Sequence, residues 1–429
     1  MKKIFGFSLG CKVNSYETNA LLSTFLLEGY EATNDPKEAD LILLNTCAVT
    51  AVASQKSRQH IRRFRRLAPK AILVAMGCYS AEAGDSLLAY GVDVLAGTLA
   101  RNAILSAVKE FEKNGKPINL LKEGSPSGPY EDFVVQGPKA KNSVRAYLKI
   151  QDGCDKFCSY CLIPSLRGRS RSRLPESIFY EVKELLAAGV REIVLSGIEI
   201  GYYGKDLGDG KYGLGELLLD LLSLFPELPR LRVSSLDESE ITPSFLEAYR
   251  RYPALMPHFH LSLQSGSPTV LKRMRRHYSP EGYLKAISDL RSIRSETAIT
   301  TDVIVGFPLE SEEEWQETLS FCQKARFSEI HVFPFSPRKG TYAATLPEVP
   351  PELKKRRVHE LLALGKRLRK EYESEFYGKS LPVLFESVDD SKGLSIGHTE
   401  NYLLVASSSK DAKIGEITPV VYDEKNALD

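Results

Sequence analysis

Three cysteines stand close together as Cys154-Asp-Lys-Phe-Cys158-Ser-Tyr-Cys161, a CxxxCxxC run. Thiolates so spaced can converge on one metal centre, and thiolate ligation favours zinc or iron–sulfur clusters. A structural zinc usually wants a fourth ligand. No further cysteine lies near in sequence, and His258 and His260 reach this run only through folding. Three thiolates around a four-iron cluster instead leave one iron open to a substrate or cofactor.

A second trio is dispersed but shares one setting. Cys11, Cys47 and Cys78 each follow an apolar run that reads as a parallel strand, in Ser8-Leu9-Gly10-Cys11, Asn45-Thr46-Cys47 and Met76-Gly77-Cys78. Carboxyl ends of strands in open α/β sheets meet at one crevice, so these thiols are expected to meet in space. Gly10 and Gly77 let the backbone pass close to a bulky group. The seventh cysteine, Cys322, sits beside Phe321 in a helical pattern and reads as core. The odd number argues against a disulfide framework.

The elements that must hold these residues follow a βα rhythm. Residues 1–113 alternate strands (Ile4–Leu9, Leu41–Leu44, Ala71–Met76, Val92–Leu95) with helices (Tyr16–Glu28, Ala51–Leu67, Ala81–Tyr90, Ala100–Lys113), which predicts a doubly wound parallel sheet. Residues 114–142 carry the loop signals Gly124–Pro129 and Gly137-Pro138-Lys139 and read as a linker. Residues 143–372 hold six βα units, fewer than the eight of a full barrel, and predict a partial (β/α)6 barrel. Its last element is a charged helix, Pro351–Glu375. Residues 373–429 shift to short strands and glycine turns, a small β-barrel module.

Composition sets few further limits. The chain has 429 residues, 26% of them charged, and a net charge of +2, so it reads as a soluble chain of two or three domains. Basic runs stand out at Lys56–Lys70, Arg167–Arg173, Lys272–Arg276 and Lys354–Arg357, and such patches suit phosphates. No apolar stretch is long enough for a membrane span. The start, Met1–Phe7, reads as a first strand rather than a signal peptide. The cytoplasm is the expected location, with no membrane partner.

Two cysteine trios in this order resemble the radical-SAM methylthiotransferases, enzymes that use S-adenosylmethionine (SAM). The likeness runs through Gly10-Cys-Lys-Val-Asn-Ser-Tyr-Glu-Thr18, Asn45-Thr-Cys-Ala-Val-Thr50, the CxxxCxxC run, Leu263-Gln-Ser-Gly-Ser267, Thr301-Asp-Val-Ile-Val-Gly-Phe-Pro308 and Phe335-Ser-Pro-Arg-Lys-Gly-Thr341. It covers nearly the whole chain and ends in a module that looks like a TRAM domain. Gly-Cys-Lys-Val-Asn and Ser-Pro-Arg-Lys-Gly-Thr look most like the MtaB-type branch, which acts on threonylcarbamoyl-adenosine beside the tRNA anticodon. Other branches, acting on isopentenyl-adenosine or on a ribosomal protein side chain, carry different residues after the first Gly-Cys. Two departures are Leu309, where the family usually has glycine, and Glu199, which is not typical of this branch.

The resemblance implies two 4Fe-4S clusters, one on Cys11, Cys47 and Cys78 and one on Cys154, Cys158 and Cys161. It implies that one SAM methylates sulfur associated with the amino-terminal cluster. A second SAM yields a 5′-deoxyadenosyl radical at the barrel cluster, and this takes hydrogen from carbon 2 of the adenine. By analogy Tyr160 contacts SAM, with Gly197, Ser235 and Gln264 at barrel strand ends as further SAM residues. The implied partners are tRNA bearing threonylcarbamoyl-adenosine 3′ of the anticodon, an electron donor and a sulfur source. Tyr402 and His398–Asn401 offer stacking and polar contacts to RNA. No dedicated acid or base is identified. The non-enzymatic alternative is an iron–sulfur RNA-binding protein.

Overall fold

The computed structural model describes residues 1–124, 128–133, 143–409 and 412–428. The Gly137-Pro138-Lys139 signal and part of Gly124–Pro129 lie outside the described residues.

Six parallel strands form the first sheet, in the order Glu31–Ala32, Lys3–Ser8, Leu41–Thr46, Ile72–Gly77, Val94–Leu95, Ile118–Asn119. The strand Leu41–Thr46 is buried throughout, and its side chains alternate between two cores. Leu41 and Leu43 pack with Leu21, Phe25, Ile104 and Val108 on one face. Ile42 and Leu44 pack with Ile61, Phe64 and Leu87 on the other. Period-two alternation with apolar residues at every position is what a sheet covered on both faces demands. The order reverses between Lys3–Ser8 and Leu41–Thr46, so the crevice of this doubly wound sheet opens at the carboxyl ends of those two strands.

The second body has six parallel strands in sequential order. Arg145–Lys149, Glu192–Ser196 and Arg230–Val233 pair in one triplet, His258–His260, Ala298–Val305 and Glu329–Pro334 in another. Parallel bridges Leu231–Leu255 and Leu236–Leu261 join the triplets into one curved wall. Among the described residues the first and last strands have no second partner, so the barrel stays open on one side. The helix Lys12–Leu27 of the first body packs against the edge strand Arg145–Lys149. The helix Pro351–Ser374 covers the last strand.

The carboxy-terminal residues form a four-stranded antiparallel sheet, ordered Leu404–Ser407, Leu394–Thr399, Ser380–Asp389, Ile417–Val421. Arg230 and Arg232 reach from the barrel to its backbone carbonyls at Pro382, His398, Thr399 and Glu400, at 2.8–2.9 Å.

Several elements differ from the sequence reading. The two-residue strands Glu31–Ala32 and Ile118–Asn119 are too short to show a period, and the second places a sheet strand inside the stretch read as linker. Three described residues of that stretch also contact the two bodies. Glu131 pairs with Arg101, Asp132 with Arg173, and the Phe133 carbonyl accepts from Tyr16 Oη. The short helix Pro268–Met274 and the strand Leu394–Thr399 also lack a clear pattern.

Candidate functional site

The first cysteine trio gathers as its strand-end positions predict. Cys11 precedes the helix Lys12–Leu27, Cys47 follows Leu41–Thr46, and Cys78 opens the helix Cys78–Ala83 directly after its strand. Gly10 and Gly77 both have φ of 99°, a left-handed conformation that suits glycine. A Cβ on Gly10 would lie 2.8 Å from Cys47 Sγ, so the two cysteine-bearing turns nearly touch. Asn14 Nδ2 ties them together by donating to the carbonyls of Leu9 and Thr46 at 2.8 and 3.1 Å.

The second trio lies on the loop after the first barrel strand. Every thiol there receives a donor. Lys156 N–H points at Cys154 Sγ (3.5 Å), Ile163 N–H at Cys161 Sγ (3.4 Å) and Arg276 Nη1 at Cys158 Sγ (3.7 Å). Burial pushes the Cys154 and Cys161 thiols up to about 12, and Cys78 to about 11. Buried thiols so raised do not ionise alone at neutral pH; a metal centre supplies the positive charge that would hold them as thiolates.

The thiols are spread too widely for one ion. A zinc bound at about 2.3 Å by each sulfur would bring sulfurs within about 4 Å of one another. Among the described residues, one group of three metal-ligand atoms lies within 4.8 Å of one another, His260, Asp302 and His331, and it contains no cysteine. His260 instead bonds Thr300 Oγ1 at 3.0 Å, and His258 stacks on Tyr402, so neither supplies a fourth ligand to a thiol trio. Wider triads fit a multi-iron core.

The two trios face one interior. Besides burial and Cys158, the nearby Cys78 contributes to disfavouring ionisation of Cys161. Arg167, six residues after Cys161, is fully buried and points Nε at Cys78 Sγ, 3.4 Å away. Its other nitrogens bond Glu17, Asp152 and Asn14 at 2.8–2.9 Å. Around it Glu17, Arg101, Lys149 and Asp152 form a buried ionic core drawn from both bodies. Despite the desolvation cost, these cations hold both carboxyls below the usual carboxylate range.

The expected SAM residues are placed as follows. Tyr160 packs edge-on against Phe307 and lies close to Cys158 and Cys161. Gly197 directly follows the second barrel strand, and the next two N–H groups donate to Gln151 Oε1. Ser235 is exposed just past the third strand. Gln264 bridges to Val303 with φ of 62°. Glu199 adds a feature that the sequence left undefined. Its Oε2 pairs with Lys156 at 2.8 Å, while buried Oε1 has no hydrogen-bond partner. Burial pushes its carboxyl up to about 7 although Lys156 opposes this. Glu199 also lies near Cys154. An orphaned carboxylate oxygen beside the CxxxCxxC loop fits the ammonium of an amino acid-type cofactor such as SAM.

Three of the basic runs are presented to solvent only in part. Arg167, Arg171 and Arg173 are buried against acids rather than presented to RNA, while Arg169 stays exposed. Arg357 is buried on Glu310 and Lys354 bonds the Phe335 carbonyl, while Lys355 and Arg356 are exposed. Arg273 and Arg276 pair with Glu314 and Asp237, leaving Lys272 and Arg275 exposed. The helix Ala51–Leu67 does present Lys56, Arg58, Arg62, Arg63 and Arg66 to solvent. Tyr402 is not a free stacking platform, since it lies between His258 and His398 beneath Arg145 and Arg232. Cys322 is fully buried, as a core residue should be.

Comparison with known proteins agrees with this architecture. Residues 148–322 match the Radical SAM superfamily and residues 3–97 match "Uncharacterized protein family UPF0004". The chain is 40% identical to threonylcarbamoyladenosine tRNA methylthiotransferase MtaB of Bacillus subtilis (strain 168), over 96% of this chain and 92% of that protein. It is 36% identical to the MtaB of Aquifex aeolicus (strain VF5), over 92% and 94%. It is 35% identical to a tRNA-2-methylthio-N(6)-dimethylallyladenosine synthase of Oceanobacillus iheyensis, over 99% and 82%. The radical SAM methyltransferase TsrM from Kitasatospora setae, solved with cobalamin and a [4Fe-4S] cluster, shares the fold with a TM-score of 0.57 at 15% identity, over 80% and 74%. The chain belongs to the radical-SAM methylthiotransferase family.

Proposed function

We propose that this protein is a tRNA methylthiotransferase that adds a methylthio group to carbon 2 of threonylcarbamoyl-adenosine next to the anticodon. The observation that carries the reading is the shared interior of the two cysteine trios, clamped by Arg167 on Cys78. Family membership at 40% identity to a threonylcarbamoyladenosine enzyme supports this substrate over the dimethylallyl one.

Cys11, Cys47 and Cys78 hold one 4Fe-4S cluster, and Cys154, Cys158 and Cys161 hold the other. Together with SAM, these groups would supply one-electron chemistry and the methyl group to be transferred, on sulfur that comes from a separate source. Glu199 Oε1 receives the SAM ammonium, and Tyr160, Gly197, Ser235 and Gln264 line the cofactor's path. Arg276 and the backbone N–H groups of Lys156 and Ile163 stabilise thiolate charge around the barrel cluster. The adenine must leave its stack to reach the space between the trios. The exposed basic face of Ala51–Leu67 meets tRNA phosphates.

The functional units are a methylthiotransferase domain over 1–113, the segment 114–142, a radical-SAM domain over 143–372 and a TRAM-like small β-barrel over 373–429. The antiparallel sheet, with its Val405–Ala427 bridge, supports the last of these. The reaction also requires an electron donor and a sulfur source, and the cytoplasm, where tRNA is, is its location. No helix among the described residues is long and apolar enough to cross a membrane.

Nucleoside analysis of tRNA from cells with and without the protein tests the reading. Loss of methylthio-threonylcarbamoyl-adenosine alone supports it. Loss of the methylthio-isopentenyl nucleoside instead, or an unchanged tRNA profile, overturns it.

A further inference from the structure

Lys12 stands directly after Cys11 and is exposed to solvent, yet its charged neighbours are barrel residues. Arg145 and Arg232 face it from the first and third strands, and Glu192 from the second. His258, at the start of the fourth strand, also senses its charge. A side chain that water reaches but barrel strands surround lines a wet internal space rather than the outer surface. The first body delivers it there across the open side of the barrel, because the helix Lys12–Leu27 packs against the edge strand Arg145–Lys149.

The charges in that space do not balance. Glu192 is the one carboxylate among the charged neighbours of Lys12, and Arg145 and Arg232 already hold it at 2.5 and 2.8 Å. Glu386, nearby, is taken by Arg145 and His398. The Lys12 ammonium has no hydrogen-bond or ion-pair partner among the described residues. A solvent-reached ammonium with two further cations facing it, and with the neighbouring carboxylate already held by both of those, suits an anion from outside the chain.

We propose that Lys12 holds the carboxylate of the threonylcarbamoyl substituent on the target adenosine and so selects the substrate. This rests on the function proposed above. The chemistry is specific. In a threonylcarbamoyl group the threonine nitrogen is spent in the carbamoyl linkage and its carboxylate remains free and charged. A dimethylallyl group at the same position is hydrocarbon and offers nothing to an ammonium. The substituted nitrogen is attached to the six-membered ring that contains carbon 2, so a base presented to the cysteine trios carries its substituent near the residue that follows Cys11. A charge-assisted contact to a carboxylate contributes about 1.5–3 kcal/mol, which corresponds to a discrimination of roughly tenfold to a hundredfold.

The test uses the whole chain with both clusters reconstituted without oxygen, and three anticodon stem-loops that carry threonylcarbamoyl-adenosine, dimethylallyl-adenosine or plain adenosine at one position. Binding is measured for the parent, Lys12→Met and Lys12→Arg, with iron and sulfide per chain as the check on assembly. The expected result is a preference of roughly tenfold or more for the threonylcarbamoyl stem-loop in the parent. Lys12→Met should lose that preference at unchanged iron content, and Lys12→Arg should retain most of it. If the parent discriminates and Lys12→Met discriminates equally, the assignment of Lys12 is wrong while the proposed reaction stands. A parent that does not discriminate overturns the substrate reading and this proposal with it.

Discussion

Replacing Glu17 with Gln should uncouple the first body from the barrel while leaving each core intact. The Glu17 carboxylate receives Arg101, Lys149 and Arg167, the last two at 2.8 and 2.9 Å, and all four side chains are at most 1% exposed. An amide is nearly the same size but carries no charge, so three buried cations would then share Asp152 and the partly exposed Glu131. Breaking a buried ion pair from one side costs about 3–5 kcal/mol, or roughly two to three and a half powers of ten in a docking equilibrium. Arg101 and Glu17 belong to the first body, Lys149, Asp152 and Arg167 to the barrel, so the loss falls on their junction. The assay is urea unfolding, followed by two probes. Trp315, the lone tryptophan, is fully buried in the barrel and reports that body alone. Far-ultraviolet circular dichroism reports the whole chain. The parent should give coincident transitions; Glu17→Gln should split them, with the non-barrel signal lost earlier. Coincident transitions shifted by less than about 0.5 kcal/mol, the scale of a surface substitution, would refute the argument that this core holds the bodies together.

Acidification should act on the same core. Glu17 and Asp152 have depressed pKa values, so their contribution is complete above the unfolded carboxyl range near about 4 and is lost as pH falls through the folded values. Stability measured against pH should therefore fall below about pH 4, and Glu17→Gln should flatten that slope. Changing Cys154, Cys158 and Cys161 together to Ala should remove about half of the bound iron, whereas Cys322→Ala should leave it unchanged; both are read by iron analysis. Glu199→Gln should weaken SAM binding by roughly tenfold in equilibrium dialysis, the loss of one charge-assisted contact. Leu309 has φ of 63° and is half exposed, so Leu309→Gly should raise stability by about 1 kcal/mol in denaturant titration.

The thiol geometry was legible because it depends on strand ends. Once Leu41–Leu44 and Ala71–Met76 read as buried parallel strands, Cys47 and Cys78 had to emerge on one side. The six βα units of the barrel were legible for the same reason, their apolar periods being long enough to count. Leu309 was noticed as a departure, and its positive φ explains why glycine is usual there. The surroundings were less legible. Arginines at 167, 169, 171 and 173 look like a surface patch because a charge pattern alone carries no record of its partners. Glu17, Asp152 and Glu181 lie close to some of them in space but far away or unremarked in the chain. Tyr402 looked available for stacking because the cations above it come from strands more than 150 residues earlier. Strands of two residues show no period at all.

The grip of Arg167 on Cys78 also limits what can be exchanged among related chains. The guanidinium belongs to one body and the sulfur to the other, with Asn14 and Glu17 completing the hold. A chimera that took its first 113 residues from another member would assemble only if the donor brought matching teeth for this clasp. The two bodies thus behave as a lock and its own key, and new specificity is more readily grafted one side chain at a time than by swapping a module.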